Sequence, residues 1–208
     1  MKTPKELSSG QPKLHRRSFL KGSGTAAAAS ALGSGLGLAA PVESKDRRVT
    51  GPGLTAIVLN INGRDRRIKV EPRMTLLEVL RYRLHLTGAK PVSSSGASGA
   101  STVLVAGKPV MASTILAMQC VGKPIKTCEA LAGPRLDPVP AAFVNHDASQ
   151  CGFCTPGFVV AVRAFLDKHP RASEEQIRLG LNDNVCRCGT YANIIQAAIE
   201  LAKGGRDA

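Results

Sequence analysis

From Leu54 the chain alternates apolar and polar residues in part, Leu54-Thr-Ala-Ile-Val-Leu-Asn-Ile61, and then reaches Asn62-Gly63. A period of two marks a strand with one buried face, and Asn-Gly is a strong signal for a tight hairpin turn. Arg67-Ile-Lys-Val-Glu71 supplies the return strand. The period then lengthens. Leu76, Leu77, Val79, Leu80, Leu84 and Leu86 form a helical stripe behind Thr75, whose hydroxyl can cap a helix start. A loop of small residues, Pro91 to Ser101, leads to a second apolar strand, Thr102 to Val110. Beyond Pro134 the pattern turns helical. One helix is predicted over Val139–Ala148, and another over Pro156–Leu166, apolar on most sides and therefore buried. Ser173-Glu-Glu-Gln176 is a capping box opening a short helix through Leu181. Ile194, Ile195, Ala198, Ile199 and Leu201 stripe the last helix, which stops at Gly204-Gly205. The sum is an α+β protein without internal repeats.

Two tight cysteine pairs lie among these helices. Cys151 and Cys154 stand in Gln150-Cys-Gly-Phe-Cys-Thr-Pro-Gly157, and Cys186 and Cys188 in Asn184-Val-Cys-Arg-Cys-Gly189. A C-x2-C pair followed at a distance by C-x-C is the ligand set of a zinc ion or an iron–sulfur cluster. Zinc ribbons repeat knuckles with two to four residues between ligands. A single intervening residue is awkward for one tetrahedral ion and suits a [2Fe–2S] rhomb, whose two irons are ligated separately. Two disulfides are the alternative, but adjacent C-x-C thiols do not easily bridge each other. Cys120 and Cys128 fall outside this set. They read as buried apolar thiols or, in an oxidising compartment, as a disulfide.

Charge and the N-terminus change the picture next. The 208-residue chain carries a net charge of +13 and no tryptophan. Lys2, Lys5, Lys13, Arg16, Arg17 and Lys21 crowd the first forty residues against Glu6 alone. His15-Arg-Arg-Ser-Phe-Leu-Lys21 is a twin-arginine pattern, followed by a weakly apolar run from Gly22 to Ala40. Residues 1–40 therefore read as an export signal to the periplasm, and 41–52 as a polar linker. The run is too short and too rich in Gly and Ser to span a membrane. The remaining Lys and Arg are scattered without interleaved aromatics, which disfavours nucleic acid and leaves a solvated basic surface or a docking face for an acidic subunit.

Gln150–Gly157 together with Asn184-Val-Cys-Arg-Cys-Gly-Thr-Tyr191 resembles the iron–sulfur subunit of the molybdenum hydroxylases, the family of xanthine dehydrogenases and aldehyde oxidoreductases. The resemblance runs from about Leu54 to Lys203. It implies a ferredoxin-like β-grasp domain at 53–132 and a four-helix [2Fe–2S] domain at 133–208. It implies Cys151, Cys154, Cys186 and Cys188 as cluster ligands, with Gln150 and Cys188 approaching a molybdopterin. That pterin sits on a large partner subunit, which oxidises an aldehyde or N-heterocycle. This chain then passes electrons on, to a flavin subunit or a cytochrome. The rival is a non-redox assembly or docking subunit whose four-cysteine site is empty or zinc-filled.

In one respect the chain departs from that family. The family's first domain carries a second [2Fe–2S] cluster on C-x4-C-x2-C plus a fourth cysteine. The matching positions here are Ser93, Ser98, Ser101 and Ser113. An alcohol is a hard donor and far more difficult to ionise than a thiol, so the second cluster is expected to be absent.

Overall fold

β1 (Thr55–Ile61) and β2 (Arg64–Val70) form an antiparallel hairpin with Ile57 opposite Ile68. Asn62 and Gly63 turn it with φ of 52° and 77°, the two positive values a type I′ turn requires. β2 starts at Arg64 rather than the expected Arg67. It is an edge strand exposed along most of its length, so arginines occupy it without an apolar signature. The structure, a computed structural model, describes residues 51–133 and 135–204. The twin-arginine segment, residues 41–50 of the linker, and Gly205 lie outside the described residues.

Thr75 caps α1 (Leu76–Glu78): its Oγ1 accepts from the Glu78 amide, and the Glu78 carboxylate accepts from the Thr75 amide. The expected stripe to Leu86 does not continue as an α-helix. The chain widens into a π turn over Val79–Arg83, and His85 takes a positive φ of 55°. Arg81 then donates to the carbonyls of Thr87 and Ala89, closing the exit from the helix.

The apolar run expected as one strand, Thr102–Val110, is a hairpin. β3 (Thr102–Val105) and β4 (Lys108–Met111) pair antiparallel. They reverse at Ala106 and Gly107, with φ of 50° and 75°. β5 (Pro124–Lys126) has too few residues to leave a pattern. It runs parallel to β1 and antiparallel to β3, giving the five-stranded order β2-β1-β5-β3-β4. Leu59, Val70, Leu76, Leu80, Val103 and Ile125 fill one core between the sheet and α1.

Four helices follow: α2 (Pro138–Asn145), α3 (Thr155–Lys168), α4 (Glu174–Gly180) and α5 (Tyr191–Ala202). Asp137 caps α2, and Ser173 with Gln176 forms the capping box on α4. Their core gathers Phe143, Phe158, Val162, Ile177, Ile194 and Leu201. A third cluster joins the halves, where Leu104 of β3 meets Val160 and Ala164 of α3. Every residue of β3 is buried for this reason: α3 lies on one side of it and the sheet's own core on the other. The molecule is thus a mixed α+β assembly, and all its described residues belong to one compact unit. None of its described helices is long and apolar enough to cross a membrane.

Candidate metal centre

Cys154 sits at the start of α3, with Pro156 in its first turn and Gly152, φ 76°, bending the chain before it. The second pair lies in the segment between α4 and α5. The Asn184 amide bonds to the Leu181 carbonyl at 3.0 Å and fixes the entry to that segment. Its exit is fixed by Thr190 Oγ1 and Asn193 Nδ2, which donate to the carbonyl of Asp147 at 3.0 and 3.4 Å. Asp147 belongs to the turn that leads from α2 toward Cys151, so one turn anchors both cysteine segments. The His146–Glu200 hydrogen bond holds the same turn to α5.

This arrangement brings the four predicted thiols together in two pairs. The Cys188 thiol donates to the Cys151 sulfur at 3.5 Å. Cys154 and Cys186 contact each other and pack on the helical core, while Cys151 is exposed. Burial pushes the Cys154 thiol up to about 12, and its contact with Cys186 and the charge of Cys151 add to the rise. None of the four is in a disulfide. A single tetrahedral ion with metal–sulfur bonds near 2.3 Å needs all of its sulfurs mutually about 3.8 Å apart. Four thiols gathered from a C-x2-C and a C-x-C segment are a donor set whose chemistry fits a [2Fe–2S] rhomb.

Gln150 is exposed at the rim, its Nε2 3.8 Å from where a Cβ on Gly189 would stand. Phe153 and Val185, both about half exposed, flank the thiols.

The four serines are only partly assembled. Ser101 Oγ and Ser113 Oγ lie 3.0 Å apart, and Ser101 is 2 % exposed. Ser93 bonds to Ser95 at 2.9 Å, and Ser98 Oγ accepts from the Ala100 amide at 3.4 Å. Beside Ser93 and Ser113 lies an open cavity of about 320 Å³, lined also by Thr75, Leu77, Tyr82 and Val92.

Cys120 and Cys128 are not joined, which corrects the disulfide alternative. Each thiol is engaged elsewhere, Cys120 with the Leu116 carbonyl and Cys128 with the Glu129 carboxylate. Burial and then the Glu129 charge push the Cys128 thiol up to about 12. Sequence reasoning missed Asn184, which is 4 % exposed and donates to the Gly99 carbonyl at 3.0 Å. Its only sequence signal was its place two residues before the C-x-C pair.

Comparison with known proteins decides the family. The aldehyde oxidoreductase iron–sulfur-binding subunit PaoA of Escherichia coli (strain K12) is 37% identical over 207 residues, covering 92% of this chain and 89% of that one. The chain belongs to the iron–sulfur subunits of the molybdenum hydroxylase family. Within it, residues 127–199 match the [2Fe-2S] binding domain, and residues 13–33 match the twin-arginine translocation pathway signal sequence, which directs export to the periplasm. The nicotine 6-hydroxylase small subunit of Paenarthrobacter nicotinovorans is 38% identical, covering 69% of this chain and 87% of that one. Among solved structures, the quinoline 2-oxidoreductase of Pseudomonas putida 86 aligns with a TM-score of 0.70 at 37% identity, covering 74% of this chain and 98% of that one.

Proposed function

We propose that this chain is the electron-transfer subunit of a periplasmic, multi-subunit molybdenum-dependent oxidoreductase acting on an aldehyde or an N-heterocycle. The pairing of Cys151 with Cys188 and of Cys154 with Cys186 carries the reading. A [2Fe–2S] cluster bound there supplies a one-electron carrier. The chain's own residues set its surroundings. Cys154 and Cys186 hold the inner side, half-buried against the helical core. Cys151 and Phe153 form the outer side, open to a partner. Such burial and the hydrogen bonds around sulfur are what tune a cluster's potential.

On this reading Gln150 and Cys188 face the molybdopterin of the large subunit. Residues 53–132 act as a ferredoxin-like β-grasp domain, and 133–208 as the four-helix cluster domain. The reading leaves the first domain without a cluster, because Ser93, Ser98, Ser101 and Ser113 offer hydroxyls in place of thiolates; the Ser101–Ser113 hydrogen bond is in keeping with it. Electrons leave from the single cluster to a flavin subunit or a cytochrome. Aldehyde is the favoured substrate class because PaoA, an aldehyde oxidoreductase subunit, matches over 92% of the chain.

The test is to co-express the chain with its large subunit and add substrate without oxygen. Bleaching of the chain's visible absorption by an aldehyde or N-heterocycle, dependent on the large subunit, is expected. Substrate oxidation with an unbleached chromophore overturns the proposal.

A further inference from the structure

The loop with serine at the family's ligand positions touches the supports of both cysteine pairs. The Val185 amide donates to the Ser98 carbonyl at 3.0 Å, and Asn184 Nδ2 donates to the Gly99 carbonyl at 3.0 Å. Val185 is bonded directly to Cys186. On the other side of the loop, a Cβ added to Gly157, in the first turn of α3, would stand 3.0 Å from the Ala100 Cα and closer still to the Gly99 carbonyl oxygen. Gly157 lies three residues after Cys154. The loop is held rigidly in place. Gly99 has a φ of 67°, and a Cβ there would stand 2.5 Å from Asn184 and from the Asp183 carbonyl. Thr102 Oγ1 and the Asn184 amide group both donate to the Gly99 carbonyl, so that oxygen is fully engaged.

We infer that Ser98–Ala100 is a positioning wedge for the remaining metal centre, with Asn184 as its key residue. The wedge sets how far the segment carrying Cys186 stands from the helix carrying Cys154. Asn184 acts through Cys186 and touches no metal itself. The serine loop thus keeps a function that needs its backbone and not its side chains. The inference rests on the four cysteines being cluster ligands.

Two variants test it: Asn184→Ala, which removes the donor and its volume, and Asn184→Leu, which keeps the shape and removes the donor. Ser94→Ala, exposed on the same loop, is the control. Each purified protein is challenged with an iron chelator, and its electron paramagnetic resonance spectrum is recorded after reduction. Residues that orient metal ligands from outside the coordination shell influence how tightly the metal is held. Both Asn184 variants should therefore lose iron measurably faster than wild type. Iron that remains should show shifted g values, a signature that general destabilisation does not produce. Ser94→Ala should match wild type. Wild-type retention and wild-type g values in both Asn184 variants overturn the inference. A wild-type protein with no cluster signal overturns the ligand reading instead, so the two failures are distinguishable.

Discussion

Gly157→Ala sets two effects of known size against each other. Alanine is the better helix former, and replacing a helical glycine gains at most about 1 kcal/mol. Gly157, however, faces backbone. The new Cβ would stand 3.0 Å from the Ala100 Cα and closer to the Gly99 carbonyl oxygen. Ordinary carbon–carbon contact is about 3.5–4.0 Å, so the overlap is roughly 0.5–1 Å. A rotamer change cannot relieve a backbone clash. Nor can the loop retreat, because Gly99 is pinned against Asn184 on its far side. Overpacking of this kind costs about 1–3 kcal/mol, and backbone obstacles place it at the upper end. The net is a loss of about 2 kcal/mol, or roughly 4–8 °C in the melting midpoint of a domain this size. Parallel thermal scans of wild type and Gly157→Ala, followed by far-ultraviolet circular dichroism, measure it. An unchanged or higher midpoint refutes the close contact between α3 and the loop.

Cys151→Ser, Cys154→Ser and Cys186→Ser should each abolish the visible absorption of the purified protein. Cys120→Ala and Cys128→Ala should leave it intact, because those thiols bond to Leu116 and Glu129 instead. Cys128 should resist iodoacetamide at pH 8: its thiol is pushed up to about 12, and only the thiolate attacks. A raised value keeps the thiol protonated below it, so labelling should accelerate as pH climbs toward it, as peptide mass spectrometry would register. Restoring the ligand set with Ser93→Cys, Ser98→Cys, Ser101→Cys and Ser113→Cys should add a second, distinct paramagnetic signal on reconstitution. It should also raise steady-state turnover of the full complex while cluster reduction by substrate keeps its rate.

Where chemistry dictated local structure, the sequence was readable. Asn62-Gly63 announced its hairpin, Thr75 and Ser173 announced their helix starts, and the apolar run from Pro156 announced a buried helix. The cysteine spacing announced which four thiols the fold would gather. Features fixed by distant contacts stayed hidden. The turn at Ala106-Gly107 broke an apolar run that alternation alone reads as one strand. β5 pairs only because β1 and β3 flank it, and three residues carry no period of their own. The π turn after Glu78 leaves Leu84 and Leu86 on the core edge, so the leucine spacing looked helical past the point where the helix ended. The contact between Asn184 and Gly99 joins residues far apart in the chain, and nothing local foretells it.

The central claim is one cluster, held by Cys151, Cys154, Cys186 and Cys188, in a chain whose other ligand positions are serine. The most direct measurement is spin quantitation of the dithionite-reduced protein alongside metal analysis. The account predicts a single [2Fe–2S] signal integrating to about one spin per chain, with about two irons and two acid-labile sulfides. A colourless protein carrying zinc, or two distinct signals with about four irons per chain, contradicts it.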